Sequence, residues 1–140
     1  MKAINPYLNF AGNTEEAFNF YKSVFGSEFL TLQRFKDTPQ ADNVAEKDKD
    51  KIMHVSLPLC NGSVLMATDA LESMGHKLTV GNNIQLSIHA ESKEEANKLF
   101  NGLSAAGKIE LPMQDMFWGD YFGMFTDKFG IQWMISFTKN

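Results

Sequence analysis

The segment Asn13-Thr14-Glu15-Glu16-Ala17 returns 79 residues later as Ser92-Lys93-Glu94-Glu95-Ala96. Each copy opens an apolar stripe at helical spacing: Ala17, Phe18, Phe20, Tyr21, Val24 and Phe25 in the first, Ala96, Leu99, Phe100 and Leu103 in the second. Such a stripe is the buried face of an amphipathic helix. A capping residue with glutamate three positions on predicts where each helix starts, and Gly26 and Gly107 predict where each stops.

The helices are flanked alike. Residues 4–11 and 84–90 read as strands before them, the second in clean alternation through Ile84, Leu86, Ile88 and Ala90. Strands over 28–35, 52–59 and 63–69 follow the first helix, and strands over 109–113, 122–126 and 132–137 follow the second. Asn61-Gly62 and the turn at 127–130 close the two last hairpins. Gly62 matches Gly130 at a shift of 68, so the second copy lacks a loop about as long as 36–51. The chain is a βαβββ unit written twice, an α+β class, in one domain over 1–140: module 1 at 1–70, a linker at 71–82 and module 2 at 83–140.

Charge narrows the partners. A net charge of -4, with Arg34 as the lone arginine among 13 basic residues in no run, argues against nucleic acid or an anionic membrane. No apolar run approaches the ~18 residues of a membrane span. The single cysteine, Cys60, cannot form a disulfide within this chain and reads as a small buried hydrophobe. A cytoplasmic location is the expectation. Residues 36–51, polar and mixed in charge, read first as a solvated connector and second as a mobile loop, with a helical turn around 43–47, that could cover a pocket mouth.

Candidate site residues gather in two places. The C-terminal stretch from Gln114 to Phe137 interleaves rings and acids, and Asp115, Phe117 and Trp118 read as one wall of a ligand pocket. In the last strand Trp133, Ile135 and Phe137 share a helix-facing side, which turns Gln132 and Met134 to the other. His54 lies opposite Val55 and Leu57 and so points away from the helix. His76 is expected in solvent, His89 is the weaker candidate, and Asp120 and Asp127 read as surface or turn groups.

Particular residues carry a family resemblance over nearly the whole chain. They are Pro6-Tyr7-Leu8-Asn9-Phe10, Glu16-Ala17, Phe20-Tyr21, Phe25-Gly26, His54, Asp69-Ala70, Phe117-Trp118-Gly119, Thr126-Asp127-Lys128-Phe129-Gly130 and Trp133-Met134-Ile135. The chain resembles the vicinal-oxygen-chelate superfamily of glyoxalase I, extradiol dioxygenases and bleomycin-resistance proteins. Within it, it is similar to the PhnB-like branch that carries a 3-demethylubiquinone 3-methyltransferase-like label. The resemblance implies a cupped, mostly antiparallel eight-stranded sheet with the helices on its convex face. It also implies a homodimer, in which modules of one chain or of two close a cup around a small molecule.

Metal-dependent members of that superfamily carry glutamate on the last strand of each module, four residues past the glycine that matches Gly62 or Gly130. Here Met66 and Met134 stand there, and a thioether is a poor substitute for carboxylate around a hard divalent ion. The matching first-strand positions, near Asn5-Pro6 and Asn83-Ile84, offer no imidazole. The expectation is therefore a binder without metal or cofactor, its pocket lined by Met66, Met134, Phe117 and Trp118, with His54, Asp115 and Gln132 as polar contacts. The alternative is a divalent-metal lyase, isomerase or dioxygenase with a nonstandard site at His54. A partner-binding module without a ligand stands third. The methyltransferase label is not followed: the common enzymes of that kind need a glycine-rich strand-to-helix turn, and no G-x-G occurs in this chain.

Overall fold

The computed structural model describes residues 1–139, which fall into two compact units, one ending at Thr79 and one starting at Val80. The first holds β1 (Tyr7–Phe10), α1 (Thr14–Phe25), β2 (Thr31–Arg34), β3 (Ile52–Pro58) and β4 (Val64–Asp69). The second holds β5 (Leu86–His89), α2 (Lys93–Ser104), β6 (Lys108–Asp115), β7 (Asp120–Thr126) and β8 (Gln132–Thr138). The sheets run β1-β4-β3-β2 and β5-β8-β7-β6, so the duplicated unit folds twice with one topology. In each, the strand before the helix joins the sheet parallel and the other pairs are antiparallel. The eight strands thus form two mixed four-stranded sheets instead of one continuous ladder.

Each helix buries its apolar stripe on its own sheet. Ala17, Phe18 and Tyr21 pack over Phe10, Val55, Leu57, Leu65 and Ala67, with the Phe10 and Phe18 rings edge to face at 6.4 Å. In the second unit Ala96, Phe100 and Leu103 are buried with Phe125, Trp133 and Ile135, and Phe100 meets Phe125 edge to face at 5.1 Å. Among the described residues no helix is long and apolar enough to cross a membrane.

The two helix starts differ from one another. Ser92 is extended and its hydroxyl accepts the Glu95 N–H at 3.0 Å, as the capping pattern predicts. Asn13 is not extended and makes no capping bond. Asp69, arriving from the end of β4, caps α1 in its place: its Oδ1 accepts from the Gly12 N–H (3.1 Å), the Thr14 N–H (3.0 Å) and the Thr14 hydroxyl (2.7 Å). Its Oδ2 accepts the Ile52 N–H at 2.8 Å. One buried carboxylate thereby ties together a helix start and two strands. Gly26, with φ 74°, ends α1 in the left-handed conformation that costs glycine least.

Two expectations fail. Cys60 is exposed, because it is the corner residue of a tight hairpin: Asn61 and Gly62 have φ 50° and 79°, and the Ser63 N–H donates to the Cys60 carbonyl at 2.8 Å. For residues 36–51 the solvated-connector reading fails, while helical turns do form near the expected 43–47. Short 3-10 turns occupy Ala41–Asn43 and Glu46–Asp48, and Val44 is buried with Phe35 and Leu71 in a small apolar cluster against Met53.

Candidate functional site

The face of the first sheet opposite α1 carries the register rows Tyr7, Met66, Ser56, Thr31 and, next along, Asn9, Thr68. His54 stands on that face beside Gln33. The Tyr7 hydroxyl lies 3.0 Å from His54 Nδ1, with the two rings tilted at 5.7 Å between centroids. Partial burial raises the Tyr7 hydroxyl above its ordinary range, so it stays protonated and can donate to Nδ1.

A half-open cleft of about 300 Å³ lies on this face, lined by Tyr7, Asn9, Phe35, Gln40, Met53, Thr68, Asp69, Met74 and His76. A register shift brings Met53 into it. Gln33 pairs with His54 but Arg34 pairs with Ile52, which leaves Met53 without a partner across the ladder, as in a β-bulge. The strands supply the floor, and two loops supply the walls: Phe35 and Gln40 from one, Met74 and His76 from the other.

Those loops are latched to each other. Asp48, buried, accepts the Ser73 hydroxyl at 2.7 Å and pairs with Lys51 at 2.7 Å. The Lys51 ammonium, and after it the Ser73 hydroxyl, hold the Asp48 carboxyl below the usual carboxylate range. A carboxyl whose folded pKa is depressed contributes stability above its unfolded value, roughly 4, and loses it as pH falls through the folded value. Amide exchange over 41–50, corrected for intrinsic rate, should therefore stay flat from neutral pH down to about 5 and quicken below about 4. Asp48→Asn should remove that acid step; a step of the same size in the variant would show that another group sets it.

The second unit repeats the layout with different chemistry. Its corresponding rows are Ser87, Met134, Met124 and His89, Ser136, Phe122, with the Ser136 hydroxyl 3.0 Å from His89 Nδ1. Met66 and Met134 hold equivalent places, each in the middle of a last strand. Their cross-strand neighbours are Tyr7 and Ser56 for one, Ser87 and Met124 for the other. Neither set fits a hard divalent ion, and among the described residues no three His, Cys, Asp or Glu side chains gather as ligands.

The remaining residues singled out in the sequence have local partners. Asp115, exposed at the end of β6, pairs with Lys139 at 2.9 Å and Lys93 at 3.7 Å, and Lys139 first holds its carboxyl below the usual range. Phe117 and Trp118 form the tip of the β6–β7 hairpin and are 96% and 51% exposed. The Trp118 indole donates to Asp120 at 3.0 Å, and Asp120 also accepts the Thr138 hydroxyl at 2.9 Å. Gln132, with its amide nitrogen toward the Ile84 and Asn82 carbonyls at 3.2 and 3.1 Å, secures the entry to β5. Asp127 is a buried turn-former, accepting the Phe129 and Ile131 N–H groups and the Trp133 indole. Sequence reasoning places His54 on the open face but misses the cleft's own lining. Alternation in β1 sets Tyr7 and Asn9 opposite Leu8 and Phe10 and could have found two of its residues.

The model of the 3-demethylubiquinone-9 3-methyltransferase family matches residues 2–136. The chain belongs to that family. Protein YjdN of Escherichia coli (strain K12) is 35% identical, the match covering 97% of this chain and 95% of that one. The crystal structure of PA1353 from Pseudomonas aeruginosa superposes with a TM-score of 0.89 at 36% identity, over 100% of both chains. A putative 3-demethylubiquinone-9 3-methyltransferase, PhnB protein, from Bacillus cereus gives 0.79 at 28% identity, over 98% of this chain and 100% of that one. A glyoxalase/bleomycin resistance protein/dioxygenase family enzyme from Burkholderia phytofirmans PsJN shares the fold, with a TM-score of 0.63 at 16% identity over 98% and 100%. The PhnB-like resemblance of the sequence and its α+β class are thereby borne out.

Proposed function

We propose that this chain binds an organic small molecule in the cleft of its first unit and does so without a metal ion. The observation that carries the reading is the cleft itself, about 300 Å³ with apolar walls at Phe35, Met53 and Met74 and polar groups at Asn9, Gln40 and Thr68. That volume is at the small end of ligand pockets, and the mixture of thioethers and rings with a few amides is their usual lining. The metalloenzyme alternative draws no support from the methionines at positions 66 and 134. The methyl transfer in the family's description finds no cradle either. The N-terminus of α1, where a cofactor's anionic group would dock, already holds Asp69, and that of α2 holds Ser92.

Asn9→Trp tests the reading directly, since Asn9 is exposed on the cleft floor and an indole there fills the space without touching the core. A thermal-shift screen of small aromatic compounds on metal-free protein should give ligands whose affinity falls at least roughly tenfold in the variant, while the ligand-free melting temperature is kept. A screen without hits, or hits indifferent to Asn9→Trp, would sink it. So would a stoichiometric divalent ion that survives dialysis and without which nothing binds.

A further inference from the structure

From the charges and amides around the cleft we infer the class of its ligand: a flat molecule, uncharged where it is held, with an amide-type edge that both donates and accepts. This rests on the cleft being the binding site.

Ionic recognition finds no free carboxylate, lysine or arginine in the lining. Asp69 is the one carboxylate in the lining, and both of its oxygens are engaged by Gly12, Thr14 and Ile52. A cationic ligand would have to take it from the start of α1. No lysine or arginine lines the cleft. On the loop that forms one wall, Lys36 pairs with Asp50, Lys49 with Glu46 and Lys51 with Asp48, Arg34 before it is held by both oxygens of Glu15, and Lys47 is exposed and outside the lining. An ion entering the cleft would give up hydration and meet no free carboxylate, lysine or arginine in return.

Neutral polar groups are free by contrast. The side-chain amides of Asn9 and Gln40 make no hydrogen bond among the described residues, and each presents two donors and one acceptor oxygen. An amide or lactam edge answers both functions. A carboxylate only accepts and an amidinium or ammonium only donates, so each leaves one side of every amide unmatched. In the same lining, the Phe35 and Tyr7 rings and the Met53 and Met74 thioethers suit the faces of an aromatic ring.

One ring system with three end groups makes the test: naphthamide, naphthoate and naphthamidine, titrated by calorimetry at about pH 8. The amide should bind at least roughly tenfold tighter than either ion. Asn9→Leu and Gln40→Leu should each weaken the amide several-fold and leave the melting temperature unchanged. If naphthoate or naphthamidine binds as well as the amide and is lost in Asn9→Trp, the ligand class is wrong although the cleft binds. The class is equally wrong if all three fail while other screened compounds bind in the cleft. Failure of every compound strikes the binding reading itself.

Discussion

Asp69→Ala should destabilise the first unit by about 3 kcal/mol, the largest loss expected from any single side chain around the cleft. The carboxylate satisfies four donors at once, two at the start of α1, one on the Thr14 side chain and one at the start of β3. Truncation leaves buried N–H groups unpaired, and each such group costs about 1–3 kcal/mol, with partial relief where water reaches Gly12. The cap alone accounts for about 1 kcal/mol of helix stability. The melting temperature of that unit should fall by roughly 15 °C. Asp69→Asn should fall between wild type and alanine: it keeps one acceptor but turns an NH2 toward the Thr14 or Ile52 donors. Thr14→Val, removing a single hydroxyl, should cost about 1 kcal/mol. Both tryptophans lie in the second unit, so far-UV circular dichroism with amide exchange over α1 is the readout for the first. An Asp69→Ala protein within about 1 kcal/mol of wild type would mean the network is dispensable.

The same residue shows where sequence reading stops. Both helices are legible because their stripes and stop signals are local, and the duplication is legible because two capping motifs share a spacing. The cap of α1 is not, since Asn13 looks like the cap and the actual acceptor lies 55 residues away. Ser92 has no distant competitor, and there the local pattern suffices. Val44 looks like a stray in a polar loop and Phe35 like the end of a strand until Leu71 arrives beside them from another segment. By alternation Met53 shares the helix-facing phase of Val55 and Leu57, and the register shift that redirects it lies in the ladder, not in the sequence. The rings and acids at 115–120 suggest a pocket wall by composition. In the structure Asp115 and Trp118 have near partners of their own, on Lys139 and Asp120, and Phe117 is in solvent. A composition of rings and acids does not say whether they meet a ligand or each other.

Gly123, an ordinary strand residue by its sequence context, carries the second large expectation. Its backbone lies outside the left-handed region, so the glycine is not there for its φ. A Cβ built on it would stand 2.8 Å from Phe100 Cε2, 2.7 Å from Met113 Sδ and 3.0 Å from the Leu111 carbonyl oxygen. Met113 is flexible and can swing aside. The Phe100 ring is fixed edge-on against Phe125, and the carbonyl belongs to the neighbouring strand β6. Glycine inside a strand often marks such a close approach. Gly123→Ala should cost about 2 kcal/mol and Gly123→Val about 3 kcal/mol, as overpacking of a filled core does. Trp133, buried two residues before Ile135, the cross-strand partner of Gly123, gives a fluorescence signal for this unit. The contact can be tested separately from strand propensity, which predicts the opposite sign for alanine over glycine. Phe100→Leu removes the ring atom in the way and should cost about 1 kcal/mol alone. Combined with Gly123→Ala, it should recover at least about 1 kcal/mol relative to the sum of the single losses. Strict additivity would place the cause elsewhere. Because Met124 follows on the opposite face and pairs with Met134, whatever moves Gly123 also moves the methionine row on the open side of this sheet.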